Sequence, residues 1–391
     1  MKKTIFTIAI GLLSGLTATA QINGDGYYRI KNVVTGRYMS LSDNSSRGVS
    51  MSSTTVDASA LLTKKNLTEV LSDPGTIFYI QKVNSDEYNI SAQGANLYNM
   101  INYYIRLKYY PSSNIYRAWQ SDKGQTMYLA DENDFCNGAD LGYVDVETKT
   151  TMNWNIIPVD TEDNYIGVNP TIKANGKYYA PYYVDYAFSP VSKDMKVYYI
   201  NKIDENSGTA YYKELTGTIP ASTPVILECA SNDASQNKLK IESANASKPA
   251  DNKMTGTYFC VGTRLTAHYN STKFDATSMR VLGTSADGSL ELNNEDTYMA
   301  DALIRQGSTY YTYSTIKAIP QNSGYLKVSA SCPKELKLVD YTLGVSQIEM
   351  DDEAPAAIYS LNGTRVKEKA TSVEGLPKGI YIFKNKKYVV K

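Results

Sequence analysis

Apolar and polar positions along this chain alternate in short runs broken by Gly, Pro, Asn and Asp, the pattern of half-buried strands joined by turns. Tyr28 and Ile30, then Tyr38 and Leu41, predict two strands around a turn at Thr35-Gly36. Similar runs follow at 74–81, 88–97, 127–130 and 153–159, then at 177–188, 196–202, 217–227 and 318–328. Ile219-Pro220, with Thr223 and Val225-Ile226, returns one hundred residues later as Ile319-Pro320, with Ser323 and Tyr325-Leu326. Both copies read as a proline-led loop delivering a buried strand, because Pro sets φ before a strand but cannot sit inside its ladder. Strand alternation predicts that Val225 and Leu227 face one way and Ile226 the other. Two stretches read as helical. One runs from an N-cap at Asp57 to Leu71 and stops at Asp73-Pro74-Gly75. The other, 96–109, carries apolar residues at i, i+3, i+4 spacing, and equally suits a tyrosine-rich strand. At the end of the chain, Ala357–Val366, Leu376–Phe383 and Lys386–Lys391 predict short strands, with the first turn at Asn362-Gly363.

The expected fold is therefore all-β. A first unit over 21–160 precedes a central β-sandwich over 161–345, where regular short strands alternate with turn signals. A charged, proline-containing linker over 346–355 leads to a small sandwich-like module over 356–391. Residues 1–20 read as a signal peptide. Lys2 and Lys3 precede an apolar stretch from Thr4 to Leu16, too short to span a bilayer, and Ala18-Thr19-Ala20 fits small-residue cleavage before Gln21. No Cys sits at that point to carry a lipid, and no later stretch is long and apolar enough for a transmembrane helix. The expected destination is secretion or the outer cell surface, by way of the periplasm.

Composition narrows the chemistry. The 391 residues hold 40 basic and 40 acidic side chains, and removal of the leader leaves a net charge of −2. A near-neutral chain without basic runs is not built for nucleic acid. Tyr outnumbers Phe, 34 to 7, as suits small wet β-cores or surfaces that stack on sugar rings. Cys136, Cys229, Cys260 and Cys332 match no C-x-x-C metal or redox spacing, and pairs or free buried thiols are both open. His268 is the one histidine, so multi-histidine metal sites are excluded and any triad depends on it. P-loop, H-E-x-x-H and G-x-S-x-G patterns do not occur. No catalytic, metal or cofactor site is expected.

The opening segment, Tyr28-x-Ile30-x-Asn32 followed by Gly36-x-Tyr38, resembles the first hairpin of ricin-type β-trefoil domains, and the later runs to 159 resemble three such repeats. Met152 stands where the Gln-x-Trp lectin signature has Gln, and Trp154 is expected in the core. The central order, with Gly217-Thr-Ile-Pro-Ala-Ser-Thr-Pro-Val-Ile-Leu227, resembles an all-β module of exported Bacteroidetes proteins. The last strands, with Leu376-Pro-Lys-Gly-Ile-Tyr381, resemble the C-terminal, type IX-like sorting domain of that group. These resemblances imply a non-catalytic secreted or surface binding protein, lectin-like and directed to a glycan or host-surface ligand, with secretion machinery engaging the C-terminal module. Trefoil-like lectins set an aromatic platform beside a carboxylate or amide, so Trp119 with Asp122, and Tyr38 with Asp43, are the candidate binding pairs. Two alternatives stand beside this: a secreted glycosidase or peptidase using carboxylates in an interdomain cleft, and a structural component of the envelope or fimbriae.

Overall fold

In a computed structural model, the described residues are 21–22, 24–41, 60–64, 67–93, 98–99, 106–122, 125–131, 136–137, 149–244, 246–257, 272–306, 310–341, 356–384 and 386–390. They form an all-β protein with one α-helix among them.

Six strands of the first unit close a ring. Gly26–Asn32 pairs with Asn153–Pro158 on one side and Phe78–Lys82 on the other. Phe78–Lys82 continues to Glu87–Ala92, then to Arg106–Tyr110, then to Ile115–Asp122, which pairs back onto Asn153–Pro158. All pairings are antiparallel, and closure removes the exposed edges an open sheet would leave. The period-2 pattern turns one face inward. Ile30, Phe78, Ile80, Tyr88, Ile90, Leu107, Tyr109, Tyr116, Ala118, Trp154 and Ile156 make one buried cluster. Trp154 is wholly buried and its indole N–H donates to the Leu129 carbonyl at 3.1 Å. Ile22 seals this core, its N–H donating to the Tyr116 hydroxyl at 2.8 Å.

The helix expected over 57–71 is not formed as such. Ala60–Lys64 is a strand paired with Tyr38–Leu41, and the helix is confined to Leu67–Ser72. Cross-strand pairing with a neighbour outweighs the weak helical preference of this stretch. The expected stop is real: Asp73 caps a 3-10 turn over Pro74–Thr76, its side chain accepting from the Gly75 N–H at 2.8 Å. In the 96–109 stretch, the strand alternative holds at Arg106–Tyr110, where Leu107 and Tyr109 point inward. Gln125–Tyr128 is the hairpin mate of Ile115–Asp122, which fills the place in the ring.

The central unit holds a ten-stranded sheet. Its order is Ile172–Ala174, Lys177–Tyr182, Val225–Cys229, Lys196–Asp204, Thr209–Glu214, Glu335–Asp340, Leu290–Asn293, Met279–Thr284, Ser323–Lys327 and Met254–Thr257. The sheet contains the hundred-residue echo as a duplication. Lys177–Tyr182, Val225–Cys229, Lys196–Asp204 and Thr209–Glu214 are matched in order and pairing by Met254–Thr257, Ser323–Lys327, Met279–Thr284 and Leu290–Asn293. Ile226 lies opposite Pro181 and Tyr198, and Leu326 opposite Met254 and Arg280. The sheet curls until Lys177–Tyr182 approaches Ser323–Lys327 and Ile172–Ala174 approaches Met279–Thr284. Ile200, Ile226, Leu282, Leu292, Leu326 and Leu336 fill the space enclosed. On the outer face, Val225 and Leu227 join Tyr182, Tyr186, Phe188 and Leu239 in a second core, under a small sheet of Ile166–Gly167, Lys238–Ile241 and Phe188–Pro190. The alternation expected at Val225, Ile226 and Leu227 is thus realised.

The first and central units touch through polar and aromatic contacts. Arg29 is fully buried, and its guanidinium donates to Thr76 Oγ1 at 3.0 Å, the Val70 carbonyl at 3.2 Å and Asn164 Oδ1 at 2.7 Å. Tyr27 and Tyr186 meet edge to face at 5.8 Å. The C-terminal residues form one antiparallel sheet, Arg365–Ala370, Ala356–Ser360, Gly379–Phe383 and Lys386–Val390, with Ile358, Ala370, Tyr381 and Phe383 buried on one side.

Candidate functional site

A cavity opens where the curled sheet nearly meets itself. A section of about 460 Å³ lies between Thr171, Ile172, Lys173 and Pro181 on one side and Leu282, Gly283, Thr284, Asp296 and Ser323 on the other. A second section of about 190 Å³ shares Thr171, Pro181, Pro320 and Ser323 with it and runs on to Ser72 and Pro74 of the first unit. Together they make one groove that runs from the curled sheet of the central unit to its junction with the first unit.

Its wall and floor are held by amides. Asn169 Nδ2 donates to Ser72 Oγ across the junction at 2.8 Å. Asn322 Nδ2 donates to Gln93 Oε1 at 3.0 Å and to the Tyr183 carbonyl at 2.9 Å. Gln93 and Asn322 are both buried and both adopt left-handed backbone, at φ 57° and 52°. Such strain is stored where surrounding structure over-determines it, often beside binding sites. The proline-led loop of the second repeat brings Asn322 here: Pro320 fixes the approach, and the strand Ser323–Lys327 begins next.

The far end of the groove carries its charge. Asp296 Oδ2 accepts from the Thr284 N–H and from Asn293 Nδ2, both at 3.1 Å. Gly283 gives this carboxylate its place, since a Cβ there would collide with Asp296 Oδ2. Lys173 lies across the opening, its ammonium 5.6 Å from the Tyr178 ring centre. Among the described residues that line this section, Asp296 is the one carboxylate. No group of three or more His, Cys, Asp or Glu side chains able to hold a metal ion occurs among the described residues.

The residues singled out from the sequence lie elsewhere. Trp119 lies within the strand Ile115–Asp122, half-buried against Tyr128, Ala130 and Met152. Its indole N–H is buried without a hydrogen-bond acceptor. Asp122 closes the same strand opposite Gln125, and its side chain lies outside the described residues. Tyr38 is half-buried beneath the Lys31 ammonium, 5.1 Å from the ring centre. Asp43, Cys260 and His268 fall outside the described residues. Two strands separate Tyr38–Leu41 from Ile115–Asp122 in the sheet order. Cys229 and Cys332 are free, buried thiols in different cores, and burial pushes Cys229 up to about 12. Cys136 lies in a two-residue strand opposite Leu61.

Sequence reasoning missed the groove itself. Its one visible trace was the Ile-Pro echo at 319–320. Comparison with family models, with curated proteins and with solved structures found no match.

Proposed function

We propose that this chain is an exported, non-catalytic binding protein that holds a carbohydrate in the groove between its first two units. The observation that carries the reading is the groove's lining. Ser72, Asn169, Thr171, Thr284, Gln321 and Ser323 present neutral hydroxyls and amides, interleaved with the apolar rings of Pro74, Pro181 and Pro320. A polyhydroxylated ligand offers the matching chemistry: many hydrogen-bonding groups on a ring whose C–H faces are apolar. Fixed polar groups in a largely preformed cleft set orientation, while apolar walls exclude water. The closed six-stranded barrel, built from three successive strand pairs, supports a trefoil-like first unit. The signal-like leader and the C-terminal strands support display at the cell surface.

The test is a glycan array probed with the full mature chain, beside a Thr171→Trp variant. Thr171 is exposed and lines both sections of the groove, so an indole there fills it without disturbing a core. Retention of an oligosaccharide by the wild type and its loss in the variant is the expected result. Equal retention by the two proteins, or none by either, removes the groove from consideration.

A further inference from the structure

A separate cavity, of about 90 Å³, shares no lining residue with the groove, although its Tyr179, Ile226 and Leu290 pair directly with Ile172, Pro181 and Thr284 of the groove's wall. Tyr179, Tyr198, Tyr212 and Glu228 enclose it, with Asn175 and the aliphatic Ile226, Leu290 and Leu338. Strand register explains the cluster. Tyr179 pairs directly with Glu228, and Tyr198 sits two residues beyond Lys196, which also lies opposite Glu228. Tyr212 pairs with Ile200 on the next strand and meets Tyr198. The Tyr198 and Tyr212 rings stand nearly perpendicular, at 73° with centres 5.1 Å apart, so they form two walls of a corner.

The carboxylate at the back of this corner is buried yet only half engaged. Lys177 donates to Glu228 Oε1. Glu228 Oε2 receives the Tyr179 and Tyr198 hydroxyls, each at 3.4 Å, the long limit of hydrogen bonding. Glu214 and Asp340 add negative charge at Tyr198 and Tyr212. Lys196 is drawn off toward Glu214, at 3.8 Å, and the Lys177 side chain is about half exposed. The cavity therefore joins aromatic faces, whose quadrupoles attract cations, to a desolvated carboxylate with a loosely held oxygen.

We propose that the Tyr179–Tyr198–Tyr212–Glu228 cavity is a binding site for a small organic cation, a methylated ammonium head group. The volume is that of about three water molecules, which suits one such head group and excludes a sugar ring. A methylated ammonium cannot compete for strong hydrogen bonds, so it leaves the Lys177 contact in place and settles against the rings and Oε2. The cavity is distinct from the carbohydrate groove, and either assignment stands if the other fails.

Choline is the probe, titrated into the full mature chain by calorimetry. Its comparator is the neutral isostere in which a tert-butyl group replaces the trimethylammonium. Choline should bind saturably, and the isostere about tenfold more weakly or not at all. Glu228→Gln, which keeps shape and removes charge, should weaken choline by a similar factor. Tyr198→Phe, which keeps the ring, should retain binding, whereas Tyr198→Leu should lose it. Melting curves confirm that each variant is folded. The proposal is overturned if choline does not saturate the wild type, or if the isostere binds as well as choline. The wild-type comparison decides the matter even if the Glu228 variant does not fold.

Discussion

At the scale of single residues, the abundance of tyrosine acquires a physical meaning. Tyr116 accepts from the Ile22 N–H, Tyr182 and Tyr186 share a hydrogen bond at 3.0 Å, and Tyr198 reaches Glu228. Each ring fills a core while its hydroxyl finds a partner, which Phe cannot do. Burial is also the leading reason their phenols resist ionisation. Tyr27, Tyr128 and Tyr179 are pushed up to about 12, and Tyr116, Tyr182, Tyr186 and Tyr198 are raised further. In the unfolded chain these groups ionise near pH 10. Between about pH 10 and 12 the unfolded state therefore binds fewer protons than the folded state, and stability falls as pH rises. Below pH 10 their contribution is fully present. Arg29, lowered to about 10 chiefly by burial, acts in the opposite sense, since the native state there gives up its proton first. It is one group against seven. Ultraviolet titration of tyrosinate should show one set ionising near pH 10 and a second appearing only as the fold is lost. A single population titrating near pH 10, with native circular dichroism throughout, would contradict this. The richness in Tyr was legible in the sequence, and so was the core position of Trp154. Which hydroxyls meet which partners was not, because those contacts span up to about a hundred residues and depend on register.

Elements explain where sequence reading succeeded and where it stopped. Alternation at Val225–Leu227 fixed both faces of a strand because each face meets its own apolar core. The stretch from Asp57 to Leu71 misled because its helical spacing competes with a strand partner at Tyr38–Leu41, forty residues or fewer away in sequence but set by the tertiary fold. The groove was hidden for a different reason. Its lining is ordinary Thr, Ser, Asn and Pro, and only the curl of the sheet brings Thr171 near Ser323. Close approach of elements yields its own prediction. Gly167 lies in the two-residue strand beside the 3-10 turn Ala234–Gln236, and a Cβ there would overlap the Ala234 carbonyl. Backbone cannot rotate aside as a side chain can. Gly167→Ala should cost about 1–3 kcal/mol through overpacking. Gly24→Ala, with nothing within 4 Å of the added carbon, should stay within about 0.5 kcal/mol of wild type. Denaturant melts of the two variants measure the difference, and equal midpoints would show that the small sheet over the outer core yields freely.

The whole molecule divides by charge as well as by fold. Residues 356–391 contain eight basic and two acidic side chains, whereas residues 21–355 contain 30 basic and 38 acidic. The near-zero total conceals a basic module joined to an acidic body. Among the described residues, the module's buried cluster, centred on Ile358, Tyr381 and Phe383, draws only on its own. Tyr359, Val366, Ile380 and Val389 remain exposed. A sheet of this size buries little surface and should be marginal alone. Its first turn is set by Gly363 at φ 84°, as Asn362-Gly363 led one to expect. These features favour a module that folds apart from the preceding body, as the proposed role in location requires. Deleting residues 352–391 should therefore leave the main melting transition and any glycan retention of the remainder unchanged, while the protein accumulates in a different cell fraction. Fractionation of cells expressing the full and shortened chains, paired with binding by the purified proteins, separates the two roles. Loss of binding with unaltered location would place the module in the ligand site instead. A shortened chain that no longer melts cooperatively would show that the acidic body needs the basic sheet for its own stability.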